Sequence, residues 1–159
     1  MNESESLNSR ERDLRTLARP YFRDVCSSIL DPYLTGHGFR RSRFGLDQLS
    51  YRRGRCVLEF GYAPYLTDER PRYALSVAIG DHRGWFRRSR RIGLWQVPSP
   101  DRGGKRWQWE FRGPEQLKRE LRKLVGVLDA YAKPLWEDEP GLQAVLDKEW
   151  PIYLEMKNL

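Results

Sequence analysis

Two stretches decide the fold: RCVLEFGYA at residues 55–63 and RYALSVAIG at residues 72–80. In the first, Cys56, Leu58, Phe60 and Tyr62 alternate with Val57, Glu59, Gly61 and Ala63. In the second, Tyr73, Leu75, Val77 and Ile79 alternate with Ala74, Ser76, Ala78 and Gly80. Successive side chains of a strand point to opposite faces. Each stretch therefore has one large apolar face and one small face, the pattern of an antiparallel sheet covered by helices on one side.

Reading outward, residues 39–44 and 48–53 are short, aromatic and β-branched runs punctuated by turn signals, and read as two more strands. Arg53-Gly54 reads as the tight turn that joins 48–53 to 55–63. A final strand is expected at 106–112, with Trp107, Trp109 and Phe111 on one face and Gln108 and Glu110 on the other. Between the last two strands, residues 81–105 read as a long, basic connection containing Gly and Pro. Connections of that length in a compact domain are often functional.

Helices are expected on both sides of this run. Residues 1–8, rich in Ser, Glu and Asn, are expected as a disordered tail ahead of a single domain over 9–159. A first helix spans 9–19, and Pro20 suits the first turn of a second. Phe22, Val25, Cys26, Ile29, Leu30, Tyr33 and Leu34 make its apolar stripe. Pro32 predicts a kink or short break, and Gly36 and Gly38 the stop. After the strands, Leu117, Leu121, Leu124, Val125, Leu128 and Tyr131 repeat at helical spacing from Pro114 to Ala132, and Pro134 is expected to end that helix. A short helix at 140–148 precedes an aromatic tail with Trp150 and Tyr153. The order predicts an α+β fold: a mainly antiparallel sheet of about five strands, helices packed on one face, and N-terminal and C-terminal helices flanking the sheet.

The 159 residues suffice for one domain with its own core, and 6 Trp, 8 Tyr and 6 Phe supply large buried areas. The polar start, MNESESLNSRERD, matches no signal peptide, and no stretch approaches a membrane span of about 18 apolar residues. Cys26 and Cys56 stand outside any CxxC and read as buried free thiols, in keeping with a cytoplasmic location. The net charge is +7, carried by 23 Arg and 6 Lys against 22 acids. Residues 40–106 hold 16 basic and 6 acidic residues, a surplus of +10, whereas the flanks come to −1 and −2. Positive charge belongs to the middle of the chain.

The candidate chemistry is sparse. His37 and His82 are isolated, so no metal site is expected, since zinc needs three or four ligands. There is no glycine-rich phosphate motif and no nucleophile elbow, so neither a cofactor nor a catalytic residue is assigned. Glu59 and Glu110 both fall on the small or polar face and would have to meet, or be joined by His82, for acid–base work. The basic clusters carry the strongest signal: Arg40, Arg41 and Arg43; Arg52, Arg53 and Arg55; and Arg87, Arg88, Arg90 and Arg91. Trp85 and Phe86 stand beside the last cluster. Arginine forks suit an acidic protein partner by charge complementarity. With aromatic neighbours for stacking, they equally suit nucleic acid.

Leu30-Asp31-Pro32-Tyr33-Leu34 followed by Gly38-Phe39-Arg40-Arg41 resembles the opening of the bacterial family called domain of unknown function 4304. A tyrosine-bearing strand, a strand ending in Ile79-Gly80, Trp109-x-Phe111 before a long helix, and Pro134-Leu135-Trp136 after it extend the resemblance over residues 21–146. The basic 87–106 segment and the additional N-terminal helix depart from it. The resemblance implies a small α+β domain, similar in some members to the immunity proteins encoded beside bacterial toxins. Such proteins bind and occlude, so it implies a binding role with no catalytic signature to carry over.

Overall fold

A computed structural model of the chain describes residues 2–83, 89–97 and 109–157, with the side chains of Arg43 and Phe44 set aside. Helix α1 (Glu3–Gly36) leads into strands β1 (Arg40–Phe44), β2 (Gln48–Arg53), β3 (Cys56–Pro64), β4 (Tyr73–Asp81) and β5 (Arg90–Gly93). A short β6 (Glu110–Phe111) precedes α2 (Pro114–Val127), a π-helical turn, α3 (Lys133–Trp136) and α4 (Glu139–Lys157). The sheet is antiparallel throughout, in the order β1-β2-β3-β4-β5, and β6 pairs with the other end of β4.

The alternation read from the sequence sets the layers. Tyr51, Leu58, Ile79 and Ile92 lie directly opposite one another across β2, β3, β4 and β5, and all four are buried. Leu49, Phe60 and Val77 form the next such row. This face meets Phe22, Cys26, Leu30 and Leu34 of α1 and Leu117, Leu121 and Leu124 of α2 in one core. Each large side chain buried there stabilises by about 1.5–3 kcal/mol. Tyrosine hydroxyls on the same face find partners on α1 or beside it: Tyr73 donates to the Leu14 carbonyl at 2.5 Å and Tyr51 to Asp31 at 2.6 Å. The architecture is the expected α+β one.

The helices run further than their prolines suggest. α1 is unbroken from Glu3, so residues 3–8 are helix rather than tail, and it passes through both Pro20 and Pro32. A proline inside a helix costs about 3 kcal/mol. Here Leu14, Ala18, Phe22, Cys26, Leu30 and Leu34 stay in step across both sites, and their burial offsets that cost. Gly38, at φ 84°, takes the left-handed turn that leads into β1.

Pro134 likewise does not end its helix. The π-helical turn over Leu128–Ala132, where the Lys133 amide donates to the Leu128 carbonyl, widens the backbone ahead of the proline, and the rod continues until Trp136 is buried. α4 passes Lys148 and Pro151 to reach Lys157, so the expected aromatic tail is two further helical turns.

The structure also holds a strand where a connection is expected. β5, within 81–105, pairs Ala78, Ile79, Gly80 and Asp81 with Gly93, Ile92, Arg91 and Arg90. The two backbones lie so close that a Cβ on Gly80 would stand 2.1 Å from the Arg90 carbonyl oxygen. Only glycine fits there. Of the expected 106–112 strand, Glu110 and Phe111 pair with Ala74 and Tyr73. Residues 101–108 lie outside the described residues.

Candidate functional site

The second face of the sheet is built from transverse rows of small residues. Arg40, Arg52, Val57, Gly80 and Arg91 stand opposite one another in turn, from β1 to β5. The next row is Ser50, Glu59, Ala78 and Gly93, followed by Gln48, Gly61 and Ser76. Because each member is a register partner of its neighbour, all of them point to the same side, opposite the helix-covered core. The floor is low, and larger groups stand around it. Trp95 and Trp109 line it at one end, with Tyr153, Met156 and Lys157 from the last turns of α4, while Trp150 lines it nearer Arg91. Trp150 and Tyr153 stack at 5.6 Å with nearly parallel rings.

Two adjoining hollows lie on this face, of about 590 and 600 Å³, and share Glu59, Ala78 and Arg91. Arg91 Nη1 reaches Glu59 Oε2 at 2.6 Å, so an ion pair stands between them. The first hollow is lined by Ser42, Ser50, Ser89, His82 and Arg52, with Asp81 and Arg90 at one side. The second is lined by Gly61, Ser76 and Gly93 and by the aromatic wall.

Register and burial divide the predicted arginines. Arg90 turns inward: its guanidinium bonds Asp81, Asp147 and Gln143, its side chain is 8% exposed, and its buried Nε has no partner among the described residues. Arg41 pairs with Asp31 on α1, and Arg55 in the hairpin turn pairs with Glu139 at 3.3 Å. Arg53 lies on the core side at the sheet edge, opposite Cys56. Arg40, Arg52 and Arg91 lie on the open face. Among the described residues Arg40 and Arg52 have no carboxylate partner, and Arg52 uses only its Nε, on the Gly54 carbonyl at 2.8 Å. Arg43 stands opposite Ser50, beyond a register shift in β1. Trp85, Phe86, Arg87 and Arg88 lie outside the described residues. Of the described arginine side chains in the three clusters, register places Arg40, Arg52 and Arg91 together on the open face.

The acids on this side are engaged. Burial opposes the charge on Asp81, but hydrogen bonds from Arg83, the Arg90 amide, Gln143 and the Arg90 guanidinium outweigh it and hold the carboxyl below its ordinary range. Glu59 is held by Arg91 and Gln48. Glu110 is held by Tyr65 at 2.8 Å and Arg72 at 3.1 Å. Glu59 is opposite Ala78 and Glu110 opposite Ala74, so the two stand four residues apart along β4. At about 3.3 Å per residue that is roughly 13 Å, beyond the reach of paired catalytic carboxylates. They share a face but form no dyad.

His82 lines the first hollow, and its amide donates to the Arg55 carbonyl at 2.7 Å. His37 caps α1 through its amide and packs its ring 4.7 Å from Tyr33. Among the described residues no group of three His, Cys, Asp or Glu could hold a metal, and no helix is long and apolar enough to cross a membrane. Cys26 and Cys56 are free and buried; burial pushes both thiols up, Cys56 to about 12.

Sequence reasoning missed Ser42, Ser50, Ser89, Trp150 and Tyr153 as parts of the face. The signal for Ser50 was its place in the 48–53 strand. Trp150 and Tyr153 carried one too, an i, i+3 spacing that fits a continued helix. No protein-family model matches the chain, and neither a curated protein nor a solved structure does. The resemblance to the domain of unknown function 4304 family rests on the residues quoted for it.

Proposed function

We propose that this chain is a non-enzymatic bacterial binding protein of the cytoplasm, of the toxin-immunity or defence kind that the family resemblance implies, and that it holds an acidic protein partner on the open face of its sheet. One observation carries the reading. Arg41, Arg55 and Arg90, on the core side or in the turn, are matched by acids, whereas among the described residues Arg40 and Arg52 have no acid partner at the edge of a small-residue floor with aromatic walls. Unmatched arginine beside Trp and Tyr is the composition that anchors protein interfaces. Engaged carboxylates with no free acid–base pair suit occlusion rather than turnover.

The test is capture from the native host with the wild type, with Arg40→Glu/Arg52→Glu, and with Arg119→Glu/Arg122→Glu on the exposed side of α2. The account expects one acidic partner, lost with the first variant and kept with the second, which changes the net charge equally. Equal capture by all three would overturn it.

The aromatic walls beside arginine favour one other reading, a single-stranded nucleic acid laid across the sheet with bases on Trp95 or Trp150. That reading requires retention on a nucleic-acid column that falls linearly with salt on a log–log plot.

A further inference from the structure

The first hollow has hydrogen-bond donors in excess. Its two carboxylates are consumed, Asp81 by Arg83 and Arg90 and Glu59 by Arg91 and Gln48. Among the described residues, the hydroxyls of Ser42, Ser50 and Ser89 and the ring of His82 have no hydrogen-bond partner. Arg52 keeps both terminal nitrogens unspent, since only its Nε is used. Ser50 is itself 7% exposed, so its hydroxyl is held at the floor rather than in open solvent.

Arg52 and Arg91 belong to one transverse row and are separated by Val57 and Gly80. Strands lie about 4.8 Å apart, so the two backbones are roughly 14 Å apart. The two intervening side chains are small, which leaves room for a group held from both ends. Several donors facing an empty space, with their nearby acceptors already used, call for a ligand that is mostly acceptor and negative. A phosphoryl group offers at least three acceptor oxygens and a shape that arginine forks match.

We infer that this hollow is a phosphate site for a small phosphorylated molecule, held by Arg52 and Arg91 with the serine hydroxyls beneath. The volume of about 590 Å³ lies in the range of small-molecule sites. Arg91 can reach the anion without leaving Glu59, because among the described residues only its Nη1 serves that pair and its side chain is 53% accessible. The inference deepens the proposed open-face reading by giving one end of that face its ligand, and it fails or stands separately from partner capture.

The probes are inorganic pyrophosphate, ADP, a phosphoserine peptide and a random single-stranded oligonucleotide, titrated calorimetrically into the full chain at about 50 mM salt. The expected result is saturable binding of pyrophosphate or ADP, one per chain, with a dissociation constant below about 1 mM. Arg52→Glu should weaken it by about tenfold or more, as expected for a lost bond to a charged group. Ser50→Ala should weaken it by a few-fold, and Arg119→Glu should leave it unchanged. Circular dichroism melts of each variant establish that the fold is intact; Arg52→Lys, which keeps the charge and loses the fork, gives a second reading if Arg52→Glu unfolds. No saturation by either small probe, unchanged binding in both Arg52 variants, or tighter binding of the peptide or oligonucleotide than of the small probes would overturn the inference. Failure here with capture intact would leave the partner face standing without this ligand.

Discussion

Arg90 and Arg91 are neighbours in sequence and belong to different surfaces. Arg90 is buried at the core side, locked to Asp81 and Asp147 and bracing β5 against α4. Arg91, one residue on, faces the other way, pairs with Glu59 and remains half-exposed. The difference extends to the two whole faces of the sheet. One is large, apolar and covered, and its buried Asp81 and Arg90 are matched; the other is small, hollowed and rimmed by arginine. Strand alternation alone turns one basic run into a structural brace on one face and a potential ligand on the other.

The most forceful way to break this comparison is to remove the brace. Asp81 is 1% exposed, and Asp81→Ala would leave the buried Arg90 with Asp147, itself largely exposed, as its remaining carboxylate, a loss of about 3 kcal/mol by urea denaturation, the lower end for a broken buried pair. Arg52→Ala on the open face should change stability by less than about 0.5 kcal/mol. Comparable losses from both would erase the distinction between the faces.

Next in size is Gly80→Ala. Its Cβ would meet the Arg90 carbonyl oxygen at 2.1 Å, so β4 and β5 must part. Overpacking of that sort costs about 1–3 kcal/mol, and native-state hydrogen exchange should find the Ile92 amide exposed earlier than the Leu58 amide. Unchanged protection at Ile92 would mean the close approach is not a constraint.

Acid sharpens the same contrast more gently. The carboxyls of Asp81 and Asp47 are both held below their ordinary value of 3.8 despite the opposing effect of burial, Asp47 by bonds from Arg19 and Tyr62. A depressed carboxyl stabilises the fold fully above its unfolded pKa, and that contribution is lost as pH falls through the folded one. Unfolding free energy attributable to these groups should hold steady from neutral pH down to about pH 4 and decline below it, with a shallower decline in Asp81→Asn. Equal slopes would remove Asp81 from the brace.

The smallest effect is chemical. Cys26 and Cys56 should both resist a thiol reagent at pH 8, where burial keeps them protonated, and both should react in denaturant. Ready reaction in the native protein would show that the covered face is open.

The legible parts of the sequence were those with uninterrupted periodicity. β3 and β4 announced themselves because eight or nine residues alternate large and small, and α2 because leucines recur on one stripe. The prolines misled locally. A backbone rule predicted a new helix at Pro20, a kink or short break at Pro32 and a stop at Pro134, while burial spaced over several turns, and a π-turn before Pro134, carried the helices through. β5 was illegible: four residues, two of them arginine, give no period, and only pairing with β4 makes them a strand.

The arginine clusters could be counted but not aimed. Their directions follow from register and from the shift between Arg41 and Arg43, both tertiary facts. Trp150 and Tyr153 of the aromatic wall were read as a tail, whereas α4 runs on through Pro151 and carries both.

The account rests on uncompensated positive potential at the open face, and that can be measured without knowing any partner. Amide relaxation enhancement by an anionic nitroxide, divided by that of a neutral one, reports local potential within about a Debye length. The ratio should exceed one at Arg52, Val57 and Gly80, fall back in Arg40→Glu/Arg52→Glu, and stay near one on the solvent side of α1 where Arg12 and Asp13 stand side by side. Equal ratios on the two sides of the molecule would contradict it.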